Sequence, residues 1–215
     1  MMNNLFSVFD PSTGLFSMNW MSTITFTTLP LSFWTLKTKT NMIINNMLLS
    51  LSNEIKMLTK TKKLSIIMVS MFMLILINNL MGLFPYIFTS TAHLSCSLGM
   101  ALTLWMSMMI YGWTKKTNSM FCHLVPIGTP SMLMPFMVMI ETISNIIRPG
   151  SLAVRLSANM IAGHILMTLL GNNSTGVMLM IIMWLFMGLM MFEMAVAFIQ
   201  SYVFMTLSTL YSSEI

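Results

Sequence analysis

The sequence predicts an all-α integral membrane protein, with about five membrane helices, one amphipathic helix at the bilayer surface, and a long tilted hairpin at its C-terminal end. Three observations carry this. Only 7% of the 215 residues are charged while 56% are hydrophobic, whereas a water-soluble domain carries roughly 25% charged residues. Mean hydropathy is +0.83. Several apolar stretches also reach or exceed the roughly 20 residues a helix needs to cross a bilayer.

Residues 14–35 form the first and weakest span, diluted by threonines and by Pro30. In residues 41–59, Ile44, Met47, Leu48, Leu51, Ile55 and Leu58 recur at helical spacing, with Asn, Ser, Glu54 and Lys56 on the other faces. That pattern suits a helix lying in the membrane interface. Residues 64–84 are a clear span stopped by Pro85, and 93–113 are another, closed by Lys115 and Lys116. Residues 130–170 and 177–212 are each too long for one perpendicular crossing, and "GNNSTG" turns between them. Such helices must tilt, kink or run partly in the membrane plane; Pro149-Gly150 would permit a kink. The whole chain, 1–215, reads as a single membrane domain.

All eight lysines lie at 37–63 or at 115–116. With five alternating crossings, these loops and the C-terminus share one side, the side from which insertion starts. The N-terminus, the 85–92 loop and the 171–176 turn face the other. Confinement of the lysines to such loops argues against nucleic acid as the partner of this +5 chain. Cys96 and Cys122 lack metal or disulfide spacing, there is no P-loop pattern, and neither a cofactor nor a metal site is expected. Thirty methionines read as packing and lipid-facing residues rather than soft-metal ligands. They point to an organelle-encoded gene with a reassigned codon, in keeping with an N-terminus that has no removable targeting signal.

Charge inside hydrocarbon costs roughly 2.5–3.5 kcal/mol per residue even on the lenient insertion scale and reads as functional. "ETISNIIRPGSLAVRLSANMIAGH" supplies Glu141, Arg148, Arg155, Asn159 and His164, and "FEMAVAFIQSYV" supplies Glu193 and Gln200. Arg155 cannot lose its proton. On a continuous helix Glu141, Arg148 and Arg155 share a face, and Asn159 extends it by one turn. Small neighbours (Ser151, Ala153, Ser157, Ala158, Ala162 and Gly163) suit close approach of another helix. Counting from a turn near residue 173 sets Glu193 level with residue 154. An Arg155–Glu193 ion pair holding the bundle together is one reading; a proton path through carboxylate, imidazole and amides is the other. Glu141 with Arg148 suits a structural pair nearly as well as a functional one, while His93 and His123 suit interfacial positions.

"NLFSVFDPST", "NNLMGLFPYIFTSTAHL", "HLVPIGTP", the charged block and "FEMAVAFIQSYVF" together resemble the mitochondrial ATP synthase subunit a family, from residue 4 to the C-terminus. Ile127, where Gln is common, and Met194, where Phe is usual, depart from its pattern. The resemblance implies a stator subunit of the mitochondrial inner membrane, its long hairpin packed on a rotating ring of small hairpin subunits, beside peripheral-stalk and other ATP synthase membrane subunits. It assigns Arg155 to face the ring carboxylates and separate two half-channels. Glu193 and His164 would line the uptake path and Glu141 the exit, with Asn159 and Gln200 the amides beside the arginine; Arg148 stays with Glu141. The chain itself would not make ATP. The competing classes are a transporter or redox-complex subunit, which would more often show repeats and broken helices, and a membrane anchor, which leaves Arg155 unexplained. The transported ion is expected to be the proton, with sodium as the alternative.

Overall fold

The computed structural model describes residues 8–12, 18–28, 38–59, 62–84, 87–125, 128–172 and 179–214. Among them are six α-helices: α1 (Lys39–Thr59), α2 (Lys62–Gly82), α3 (Leu94–Lys115), α4 (Thr117–Leu124), α5 (Met134–Asn172) and α6 (Leu179–Glu214). Two 3-10 segments, Met18–Thr28 and Ser90–Ala92, complete the described elements. Among the described residues, four helices are long and apolar enough to cross a membrane: Leu64–Gly82, Leu94–Lys115, Met134–Gly171 and Met180–Ser213. The chain is an all-α, multi-pass membrane protein. Of the expected first span, 14–35, only Met18–Thr28 is described, as a 3-10 helix; the rest lies outside the described residues, as does Ile127.

α5 has 39 residues and α6 has 36, about 58 and 54 Å at 1.5 Å per residue. To remain in a hydrocarbon layer about 30 Å thick, straight helices of this length lean more than 50° or so from the normal. α5 runs unbroken through Pro149, although the prolyl ring removes the donor for the carbonyl one turn earlier. Where a loop near residue 115 was expected, the chain makes only a one-residue break at Lys116 before the short helix α4.

α3 packs on α5, and α2 on α6, with α5 and α6 also in contact. Their common core is Ile75, Ala101, Leu104, Leu152, Ala153, Leu156 and Phe204, all under 10% exposed. Ala101 and Ala153 let the backbones approach closely. Hydroxyls along the spans donate to carbonyls three residues back, among them Ser97 to Leu94, Ser157 to Val154 and Ser201 to Phe198, so these polar groups are satisfied within their own helices.

α1 closes one end of the bundle. Ile55 is 1% exposed and inserts between Met68 of α2 and Met205 of α6, while the Tyr202 hydroxyl donates to Glu54 Oε2 at 3.4 Å. Of the expected apolar stripe, Ile44, Leu48 and Leu51 are partly covered; Met47 and Leu58 remain exposed.

Near the other end, the 3-10 turn Ser90–Ala92 sits against α2, α3 and α5. Gly82 permits this approach: a Cβ there would stand 2.6 Å from Thr89 Cγ2 and 3.7 Å from Met160 Cε. Thr89 is itself 1% exposed and has little room to yield. Gly82→Ala is therefore expected to destabilise the protein by about 1–3 kcal/mol, read as a lower thermal transition in detergent, whereas Gly99→Ala, with open space around its Cβ, should leave that transition unchanged.

Candidate functional site

The long hairpin brings part of the predicted set together. On α5, Leu152, Ala153, Leu156, Ser157, Met160, His164 and Met167 form a buried strip facing the rest of the bundle. The opposite strip, Ser151, Arg155, Ala158 and Ala162, is exposed. The small residues thus divide between tasks: Ala153 and Ser157 serve the chain's own core, Ser151, Ala158 and Ala162 flank Arg155 on an uncovered face, and Gly163 meets Glu193 of α6. Among the described residues Arg155 makes no ion pair; the one salt bridge joins Arg148 to Glu141. The ion pair between Arg155 and Glu193 does not form.

The reason is register. Asn159 Nδ2 donates to Gln200 Oε1 at 3.1 Å, bridging α5 and α6. The Glu193 carboxylate lies against Gly163, where a Cβ would stand 2.6 Å from its Oε1 and 2.7 Å from its Cδ. Counting from residue 173 set Glu193 beside residue 154, but it sits beside residue 163. The first turns of α6 explain the offset: Met180, Ile181, Met183 and Trp184 are all exposed, so α6 overhangs before it meets α5. Glu193 and Gln200, seven residues apart, do share the face toward α5.

Glu193 and His164 are close neighbours through Gly163, yet Glu193 Oε1 and His164 Nε2 are both enclosed without a hydrogen-bond partner among the described residues. Buried polar atoms are satisfied by protein or water in the great majority of cases, which sets this pair apart from the hydroxyls that bond within their own helices. Phe9 meets the His164 ring edge-on at 6.0 Å, a cover that comes from the far N-terminus. The segment after it is held by Ser12, whose hydroxyl and N–H both donate to Asp10 Oδ1, at 2.7 and 3.0 Å; these bonds keep the Asp10 carboxyl below the usual carboxylate range.

Arg148 and Glu141 are a separate group. Their 3.7 Å contact is partly exposed, and the guanidinium also sits over the Tyr211 ring at 5.1 Å, a cation–π contact. Both line a cavity of about 730 Å³ between α3, α4, α5 and the end of α6, with Trp105, Trp113, His123 and Asn145. Arg148 and Arg155 differ sharply: the first is neutralised within the chain, and the second has no carboxylate of its own.

Sequence reasoning missed a further polar group. Asn79 (0% exposed), Thr89 and Thr91 are buried, and both Asn79 amide atoms and both threonine hydroxyls lack partners among the described residues. The pair Asn78-Asn79 inside an apolar span was the available signal. Nearby, Thr25 Oγ1 donates to Asn78 Oδ1 at 3.2 Å.

Gly163 carries a direct expectation. Gly163→Ala would drive the end of the flexible Glu193 side chain out of its seat while leaving the backbone fold intact, lowering proton-coupled turnover by about tenfold or more. Gly171→Ala, with open space at its Cβ, should have no such effect in the same assay.

A family profile described as ATP synthase A chain matches residues 13–213. Three similar proteins, each named ATP synthase subunit a, come from Locusta migratoria (54% identical), Drosophila melanogaster (55%) and Aedes albopictus (56%). In each case the match covers 100% of both chains. On this full-length similarity, the chain belongs to the ATP synthase A chain family.

Proposed function

We propose that the chain is the proton-translocating stator subunit of a mitochondrial ATP synthase, working in the inner membrane beside a rotor ring of small hairpin subunits that each carry one carboxylate. The observation that carries this reading is an exposed Arg155, without an ion pair among the described residues, on a strip of small residues, with an enclosed, unpartnered carboxylate oxygen and imidazole nitrogen about two and a half turns further along α5 on the inner side. A permanent cation on a smooth face suits a sliding contact with a passing carboxylate. An opposite charge within about 4–6 Å favours the ionised carboxylate, so a ring carboxyl arriving at Arg155 gives up its proton there.

The chain's own residues divide the work. Glu193 and His164 accept protons from the side of the 87–93 loop and hand them to a ring carboxylate. The ring turns, carrying neutral carboxyls through lipid, until Arg155 strips the proton on the opposite flank. Glu141, with Arg148 and the cavity around them, suits the release side. The Asn159–Gln200 bridge holds α5 and α6 in register beside the arginine. The driving force is worth about 2.3 kcal/mol per charge per 100 mV, which is lost if protons pass directly between the two paths; a fixed arginine between them blocks that short circuit. Lysine placement supports a matrix-facing α1, α3–α4 corner and C-terminus, with the N-terminus in the intermembrane space. The peripheral stalk and other membrane-sector subunits would hold the chain still against the ring. Protons rather than sodium suit a histidine–carboxylate pair, because an imidazole relays protons.

The test is Arg155→Ala in the assembled complex reconstituted into liposomes. Gradient-driven ATP synthesis should fall by about 100-fold or more, while the complex still assembles. Coupled synthesis at the parent rate would show that Arg155 has no part in the mechanism.

A further inference from the structure

α1 ends at Thr59, α2 begins at Lys62, and the two helices pack on each other. Leu51 and Ile55 fasten α1 to α2 and α6. The neighbouring stripe of α1 stays open. Asn45, Leu49, Ser52 and Lys56, at helical spacing, face Ile66, Ser70 and Met73 of α2 across a groove of about 700 Å³. That is the size of a cavity that buries a drug-sized ligand. The groove lies apart from Arg155, Glu193 and His164, and none of these lines it.

Its chemistry changes with depth. From Ser65 to Met73, α2 covers about the first 12 Å of its span, which carries the groove from the head-group layer into hydrocarbon. α1 brings the ammonium of Lys56 and the polar side chains of Asn45 and Ser52, while α2 brings mainly Ile66, Val69 and Met73. Lys56 has three donors to place. It reaches Asn53 Oδ1 only at 3.5 Å, and Glu54, two residues away, leaves the helix on another face to accept from Tyr202. Ser52 and Ser70 donate to carbonyls three residues back, so their oxygens keep lone pairs for a hydroxyl donor. The surrounding segment, 37–63, carries six lysines against the single carboxylate of Glu54. Each lysine near an anionic lipid surface strengthens attraction to it about fivefold.

We propose that this groove seats an anionic phospholipid from the leaflet on the lysine-rich side, its phosphate on Lys56 beside Ser52 and one acyl chain along Leu49, Ile66 and Met73. A zwitterionic lipid offers the same phosphate but brings an ammonium into a corner already crowded with lysines. The net-anionic lipid is therefore the one that fits.

The test uses the assembled complex in phosphatidylcholine vesicles with a minor share of phosphatidylglycerol bearing a photoreactive acyl chain. Attachment sites are mapped by mass spectrometry after illumination. Labelling should concentrate on 45–56 and 65–73, and exceed that from photoreactive phosphatidylcholine at the same share about fivefold or more. Lys56→Gln should cut it about fivefold, and Lys56→Arg should keep it. Leu49→Trp, at an exposed position, should block it by filling the groove, with assembly on native gels unchanged. Lys115→Gln, at the end of α3, should have no effect on it. Equal labelling by both lipids would reduce the site to ordinary boundary lipid. Labelling elsewhere but not here would put a partner subunit's helix in the groove. Either result overturns the proposal, as does parent-level labelling in Lys56→Gln. If the Lys56 variants do not assemble, the comparison of the two lipids on the parent complex decides alone.

Discussion

An arginine in a membrane cannot be neutralised by losing its proton, so its surroundings must answer its charge. Arg148 and Arg155 lie seven residues apart on the same helix and receive opposite answers. Arg148 is met inside the chain by Glu141 and by the Tyr211 ring. Arg155 is left on an exposed strip among Ser151, Ala158 and Ala162, with no carboxylate paired to it among the described residues. The packing serves that arrangement. Leu152, Ala153 and Leu156 anchor the inner face of α5 in the core, and the Asn159–Gln200 bond ties α6 alongside.

The same helix separates two kinds of unsatisfied group. On the outer face the unmet need is electrostatic, a charge waiting for a carboxylate. On the inner face it is hydrogen bonding, in the enclosed atoms of Glu193 and His164. Arg155 and His164 stand on different sides of one helix and about 13 Å apart along its axis; in the function we propose, that separation keeps the fixed charge apart from the proton-accepting pair.

The parts of the molecule dominated by composition and periodicity were legible in the sequence. The apolar runs at 64–84 and 93–113 correspond to α2 and α3, and the two overlong runs to α5 and α6. The ionisable residues stood out because charge is rare in this chain. What depended on three-dimensional register was not legible. The overhang of α6 shifted Glu193 from residue 154 to residue 163, and no count along the sequence contains the helix tilt. Small residues could be seen but not divided, since Ala153 and Ala158 differ only in which side of α5 they occupy. Asn79, Thr89 and Thr91 carry no charge and blended into their apolar surroundings, and the cover of Phe9 over His164 joins residues 155 positions apart.

The central claim is that the Arg155 strip is the surface that meets a moving ring. Site-directed cross-linking in the assembled complex tests it most directly, with single cysteines at Ala158 and Ala162 and a short bifunctional reagent. The account predicts links to the small ring subunit from both positions, and loss of ATP-driven rotation on linking. Links only to a stationary subunit, or none while the complex remains intact, would contradict it.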